Sequence, residues 1–300
     1  MAMAARGAAT AARPQSSTPL CLSLAGTGPG LMSWMFGFCS ELQKAGLFDA
    51  DECKAHGVSG GATCAAYLAA GVDMSVESEA FQALHELSAQ ARAGQLGLPE
   101  QHRKLLRRTL REEHLPRVNG RLHVCLRDGD VPLLRALRVV TPPVVVSSFS
   151  DRDELIEALL TASHIPYALD GTKARPFRGR NYMDYGPFPQ NFAVGEDETT
   201  VHVNVFPGSA WDGPMPAEPL PMRWLVRLYG KLTNLAGAPV DVHPWLVPGW
   251  SLFNVMRWDD LRLRPLALED LLERHRFGRE SFHAWVALGS GGGHQSKESW

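Results

Sequence analysis

The residues best placed to do chemistry are Gly57-Val58-Ser59-Gly60-Gly61, a GxSxG pattern at a predicted strand-to-helix turn. A serine on such a sharp corner projects its hydroxyl from the sheet, and the flanking glycines leave room for the neighbouring strand and helix. The helix that follows points its N-terminal dipole and free amides at the site, which favours a developing oxyanion. On the five residues alone, an incidental serine in a glycine-rich turn fits equally well. The order of elements around the turn favours the nucleophile. A second loop, Gly26-Thr27-Gly28-Pro29-Gly30, also follows a strand and precedes a helix, as an oxyanion hole or phosphate cradle would. Ser33 stands where a dinucleotide-binding GxGxxG pattern needs its last glycine, and no Gly-Lys-Ser/Thr follows to make a nucleotide-binding P-loop. His243, His275 and His283 come late enough to complete a Ser-His-acid triad, but none follows a recognisable strand, and each reads as a surface or satisfied core histidine. His56 adjoins the serine turn, and its direction is left open.

The elements that must position these residues follow from hydrophobic period and punctuation. Leu20–Ala25 is a short apolar run, a buried strand. Met32–Ala45 has helical spacing and is stopped by Gly46. Cys53–Val58 is a poor strand by propensity that leads into the serine turn, and the small residues Ala62–Gly71 predict a tightly packed helix. This βαβα order implies a parallel sheet covered by helices. Beyond it, helices are expected over Ser75–Gln95, Leu105–Arg111, Asp151–Ala162, Trp224–Leu235 and Leu266–Arg276, and strands over Arg121–Leu126, Val144–Phe149 and Thr200–Phe206. Proline and glycine dominate Gly208–Pro221, marking a linker or loop.

Taken in order, several of these segments resemble the patatin-like phospholipase family, most closely its adiponutrin and adipose-triglyceride-lipase branch. The resemblance is carried by Leu22-Ser23-Leu24-Ala25-Gly26-Thr27-Gly28 and by Gly57-Val58-Ser59-Gly60-Gly61-Ala62. It continues in Ser147–Ser150, Asp153–Leu159 and Ser163-His164-Ile165-Pro166-Tyr167. Pro176-Phe177-Arg178-Gly179-Arg180-Asn181-Tyr182-Met183-Asp184-Tyr185-Gly186 is similar to the family's FRG…Y-(V/M)-D-G-G segment. The similarity spans about residues 20–207 and is weaker to about Arg276.

The resemblance implies an α/β fold, a three-layer α/β/α sandwich with a central, mostly parallel sheet. It implies a lipid acyl hydrolase of the triacylglycerol lipase or phospholipase A type, working without metal or cofactor through a Ser-Asp dyad. Ser59 would be the nucleophile and Asp184 its base, with Gly26, Thr27, Gly28 and Gly30 forming the oxyanion hole and Gly57, Gly60 and Gly61 shaping the nucleophile turn. The implied partner is a lipid ester at a membrane or lipid-droplet surface, contacted peripherally from the cytoplasm. Two residues depart from the family pattern: Leu31 replaces the loop's last glycine, and Tyr185 replaces the glycine after the aspartate. If that glycine needs a positive φ, tyrosine is strained there. A catalytically weak lipid-binding or regulatory scaffold is therefore the alternative.

Composition bounds the rest. The chain has 300 residues and a formal net charge of −2, which offers no general attraction to nucleic acid or anionic membranes. The five cysteines, odd in number and without CxxC spacing, suggest buried reduced thiols rather than a disulfide framework or zinc site. No uninterrupted apolar run is long enough to span a bilayer. Residues 1–19, rich in Ala, Ser and Thr with Arg6 and Arg13, fit a disordered leader or an organellar transit peptide. The chain then divides into a catalytic domain (20–207), a helical extension packed on it (208–288) and a Gly/Ser-rich disordered tail (289–300). Two further segments suit a lipid surface: the basic stretch Arg103–Arg111, and the aromatic residues Trp224, Trp245, Trp250, Phe253 and Trp258. Each has an ordinary alternative, a solvated helix or a core wall. Oligomeric state is left open.

Overall fold

The computed structural model describes residues 19–131, 142–185, 200–205, 240–250, 254, 257 and 265–288. The expected leader, the linker at Gly208–Pro221, the helix at Trp224–Leu235, the C-terminal tail and Gly186 lie outside these residues. In chain order the elements are β1 (Cys21–Leu24), α1 (Gly28–Lys44), β2 (Lys54–Val58), α2 (Gly60–Ala70), α3 (Glu79–Arg92), α4 (Leu98–Thr109) and α5 (Leu115–Val118). There follow β3 (Leu122–Asp128), β4 (Val144–Val146), α6 (Arg152–Ala162), β5 (Arg175–Phe177), β6 (Arg180–Asp184), β7 (Thr200–Val203) and α7 (Leu268–Ala287).

The strands form one seven-stranded mixed sheet in the order β5-β6-β3-β2-β1-β7, with β4 also paired to β3. β7, β1, β2 and β3 run parallel, and β4, β5 and β6 join antiparallel. The fold is thus α/β with a mixed, mostly parallel sheet, compatible with the three-layer sandwich expected. The βαβα start is confirmed, although α1 begins four residues before its apolar period, at Gly28, because Pro29 supplies a helical φ without needing a bonded amide. The helix expected from Asp151 forms with Asp151 as its cap, its carboxylate accepting from the Glu154 amide at 2.8 Å.

The two faces of the sheet differ in chemistry. On one, the buried Leu22, Leu24, Ala55, Leu122, Val124 and Leu126 join the main core with α2. α2 is buried all round, and glycine, alanine and other small residues make up most of it, so it lies close to the strands. On the other face, pairing aligns His202, Ser23, His56 and His123 in one row across four strands. The His56 and His123 rings lie 4.2 Å apart between centroids. Burial pushes His56 down to about 3, and it lowers His123 as well.

The sequence does not announce how closely α1 and α7 pack. A Cβ on Gly37 would collide with the His275 carbonyl, and one on Gly278 with the Trp34 carbonyl. The Trp34 indole donates to Ser281 Oγ at 3.2 Å, and Arg279 pairs with Glu41 at 2.9 Å. Helix α7 is longer than the segment expected, running to Ala287. Trp245 and Trp250 are buried and meet edge to face with ring centroids 5.9 Å apart, so these two form a core wall and not a lipid-docking surface. Trp224, Phe253 and Trp258 lie outside the described residues. All five cysteines are buried, and none is in a disulfide.

Gly278→Ala should lower stability by about 2 kcal/mol or more in urea unfolding, because the clash is with backbone that cannot swing aside. Stability should also fall with acid. Well above about pH 6.5, His56 and His243 are neutral whether the chain is folded or not. Below it the unfolded chain takes up protons that folded His56 and His243, each held down to about 3, refuse. The thermal midpoint should therefore drop as pH goes from 7 to 4, and His56→Gln should flatten that dependence.

Candidate active site

All the candidate residues gather at the carboxyl ends of the parallel strands, where open α/β sheets bind ligands. β1 ends at Leu24 and runs through Gly26 and Thr27 into α1, while β2 ends at Val58 and turns through Ser59 into α2. Ser59 is the N-cap of α2 with φ 54° and ψ −131°, a left-handed backbone that a side chain rarely adopts. The glycines around it are dictated by space. A Cβ on Gly57 would strike Ala62, one on Gly60 would strike the Thr27 hydroxyl, and one on Gly61 would strike the Leu24 and Ala25 carbonyls. The turn is therefore wedged between the end of β1 and its own helix.

Gly28 opens α1 with φ 60°, and Pro29 follows without an amide. The free amides of that first turn belong to Gly28 and Gly30. Thr27 is fully buried, and its hydroxyl has no hydrogen-bond partner. Asp184 ends β6, the second strand of a hairpin. The two-residue loop of that hairpin, Arg178-Gly179, has φ 49° and 73°. Positive φ at both positions is the type I′ turn that matches strand twist. Arg178 tolerates it while donating to Glu154 at 2.8 Å and to the Ser148 carbonyl at 2.6 Å.

Pairing brings the two candidate residues, Ser59 and Asp184, to one level. Val58 lies opposite Cys125 of β3, so Ser59 follows at the height of Leu126, and Asp184 is paired with Leu126 itself. Asp184 is only 1% exposed, and its amide donates to the His164 carbonyl at 2.9 Å. Tyr185 is not in the left-handed region, so the strain expected for a tyrosine after the aspartate is absent. Its buried ring instead lies 4.8 Å beneath the Arg127 guanidinium, beside Val58 and Cys125. Burial lowers Arg127, with Tyr185 and then Asp184 opposing that shift, and burial raises the Tyr185 hydroxyl.

A cleft opens over Ser59. Its walls carry Pro29 and Met32 of α1, Leu84 of α3, Leu98 and Leu105 of α4, and Leu160 of α6, with Ile165 and Leu169 from the loop after α6. Gly28, Ser59 and Gly60 form part of the lining, whereas Gly26, Thr27, Gly30 and Asp184 do not. His102 and His164 also line it. His102 bonds Thr63 Oγ1 at 2.8 Å, one helical turn beyond Ser59, and burial holds it down to about 4. His164 contacts Thr172 Oγ1 at 3.2 Å.

Neither His102 nor the 180–184 strand was anticipated from the pattern. Arg-Gly before Arg-Asn-Tyr-Met-Asp is a hairpin signal that could have been read, whereas His102 carries no local signal. The histidines considered as triad partners point elsewhere. His56 stacks on His123, His275 bonds the Met74 carbonyl at 3.1 Å, and His283 meets Glu41 at 3.3 Å. His243 packs against Trp245. The basic segment is neutralised locally: Arg103 pairs with Glu157 at 2.5 Å, Arg107 with Asp153 at 3.8 Å, Arg108 with Glu86 at 2.5 Å and Arg111 with Glu79 at 3.4 Å. Among the described residues no cluster of three or more His, Cys, Asp or Glu could hold a metal, and no helix is long and apolar enough to cross a membrane.

Because Gly61 has backbone carbonyls where a methyl would go, Gly61→Ala should displace the first turn of α2. Labelling of Ser59 by a fluorophosphonate should then slow by about tenfold or more, even in protein that remains folded by circular dichroism. No protein-family model matches the chain and no curated protein is significantly similar to it, so the case for chemistry at Ser59 rests on the residues themselves.

Proposed function

We propose that the chain is a lipid acyl hydrolase of the patatin-like kind, cleaving carboxylic esters through a Ser59–Asp184 dyad. The observation that carries this is the strained Ser59 corner, opening a buried helix at the floor of a cleft walled by leucine, methionine and proline. Strained backbone at a cleft is where catalytic groups concentrate, and an apolar cleft suits an acyl chain.

In this mechanism Asp184 takes the Ser59 proton as the oxygen attacks the ester carbonyl. The carbonyl oxygen becomes an oxyanion facing the α1 and α2 amides, with Gly28 and Gly60 nearest the cleft. Collapse of the tetrahedral adduct breaks the bond to the alcohol, which leaves with the proton from Asp184. Water then attacks the acyl-enzyme, giving its proton to Asp184 and releasing the acid, and the proton returns to Ser59. No metal or cofactor enters these steps.

Contact with a membrane or droplet surface belongs to the same proposal. The paired arginines of α4 lend it little support. The rim of the cleft lends more, since Tyr167, beside the lining residue Ile165, is 56% exposed. Buried reduced thiols suit a cytoplasmic setting.

The second reading, a lipid-binding scaffold with little turnover, is favoured by one observation: Asp184 is buried away from the cleft lining. Hydrolysis of p-nitrophenyl esters and micellar lipid separates the two. Wild type should turn over, and Ser59→Ala and Asp184→Asn should each fall by about a thousandfold or more while staying folded. Turnover equal to that of Ser59→Ala on every substrate, with lipid binding intact in both, would establish the scaffold instead.

A further inference from the structure

The cleft over Ser59 is apolar along most of its wall, yet it carries an imidazole whose bonding is half complete. His102 of α4 is partly buried and lines the cleft, and its Nε2 lies 2.8 Å from Thr63 Oγ1. The other ring nitrogen, Nδ1, has no partner among the described residues and is not sealed from solvent. Burial holds the ring down to about 4, so it is neutral at pH 7. Thr63 is fully buried, and its hydroxyl has no other partner among the described residues.

A neutral imidazole has one donor and one acceptor nitrogen, and a hydroxyl both gives and accepts. When Thr63 donates to Nε2, Nδ1 carries the proton and donates into the cleft; when Thr63 accepts, Nδ1 accepts. A ligand carbonyl answers only the first state, whereas a ligand hydroxyl answers both. Two neighbours in the lining have unmet capacity as well. Gln101, beside His102 on α4, is 3% exposed and donates to Ser88 Oγ at 2.9 Å, which leaves its Oε1 buried without a partner. Ser163 Oγ is likewise buried and unpartnered. Such atoms are uncommon in folded proteins because each costs stability. The guanidinium in the lining, Arg175, is engaged by Glu157 at 2.5 Å, so a phosphate finds little reward there.

We infer that His102 sets the alcohol specificity of the cleft: its Nδ1 holds a free hydroxyl on the alcohol part of the ester, so the preferred substrates are polyol esters that keep at least one hydroxyl. The spacing along α2 agrees with this. Thr63 stands one helical turn beyond Ser59, about 6 Å along the axis, and the ring it holds is therefore a glycerol unit's reach from the serine. The leucine and proline walls take the acyl chain, and the imidazole takes the alcohol. This inference rests on the Ser59 reading and adds to it the class of alcohol that the ester carries.

The probes are monoolein and methyl oleate, which share an acyl chain and differ in the hydroxyls of the alcohol. kcat/KM is measured for each in mixed micelles with wild type, His102→Leu and the double variant Thr63→Val/His102→Leu, beside the thermal midpoint. Wild type should favour monoolein, and the ratio of monoolein to methyl oleate should fall by about tenfold in His102→Leu. His102→Leu also strands the Thr63 hydroxyl and should lose midpoint; the double variant should regain midpoint without regaining the ratio. A merely structural histidine would slow both esters alike and leave the ratio at its wild-type value. That result in a folded variant overturns the inference, and if His102→Leu does not fold, the double variant decides. Wild type no faster than Ser59→Ala would overturn the hydrolase reading alone. The affinity of wild type for the same two lipids, measured by calorimetry, then decides the role of His102. Tighter binding of monoolein that is lost in His102→Leu supports it, and equal binding of the two overturns it.

Discussion

The site depends on one steric constraint: there is no room between the end of β1 and the first turn of α2. Gly60 sits against Thr27, and Gly61 against the carbonyls of Leu24 and Ala25. With both glycines lacking a side chain, the two loops touch through backbone, and the N-termini of α1 and α2 share the opening above the sheet. Ser59 is forced into a positive φ because the chain must leave β2 and enter α2 within one residue. Relaxing that corner would need α2 to move off the sheet. α2 is buried on every side, so the corner is held by the whole core and not by local bonds. A strained residue persists only where the surroundings over-determine it, and here they do.

The sheet extends this logic with two unlike faces. The face under α2 is hydrocarbon, which lets small helical residues pack at close range. The other carries the row of His202, Ser23, His56 and His123, together with Arg127 and Tyr185. Because alternate residues of a strand point to opposite faces, Asp184, paired with Leu126, turns toward the core face, and Tyr185 turns toward the polar one. The Arg127–Tyr185 pair therefore lies on the face opposite Asp184 and not in the cleft. The guanidinium covers the Tyr185 ring at the end of β6.

Much of the fold was legible in sequence because its signals are local. The apolar run of β1, the glycines, the alanine-rich α2 and the Asp151 cap each announce themselves within a few residues. Ser59 was legible for the same reason. Asp184 was not legible by residue type alone, since an aspartate near a turn is common; it was identified through resemblance. The type I′ turn at Arg178-Gly179 is the physical reason that segment has its form. What sequence could not give was long-range: His102 joining the Ser59 cleft through Thr63, the arginines of α4 spent on Glu157, Asp153, Glu86 and Glu79, and Trp245 and Trp250 turning inward. Each depends on which surface a helix presents to a partner distant in sequence. The expectation of strain at Tyr185 failed for a related reason, since a substitution pattern reports residue identity and not φ.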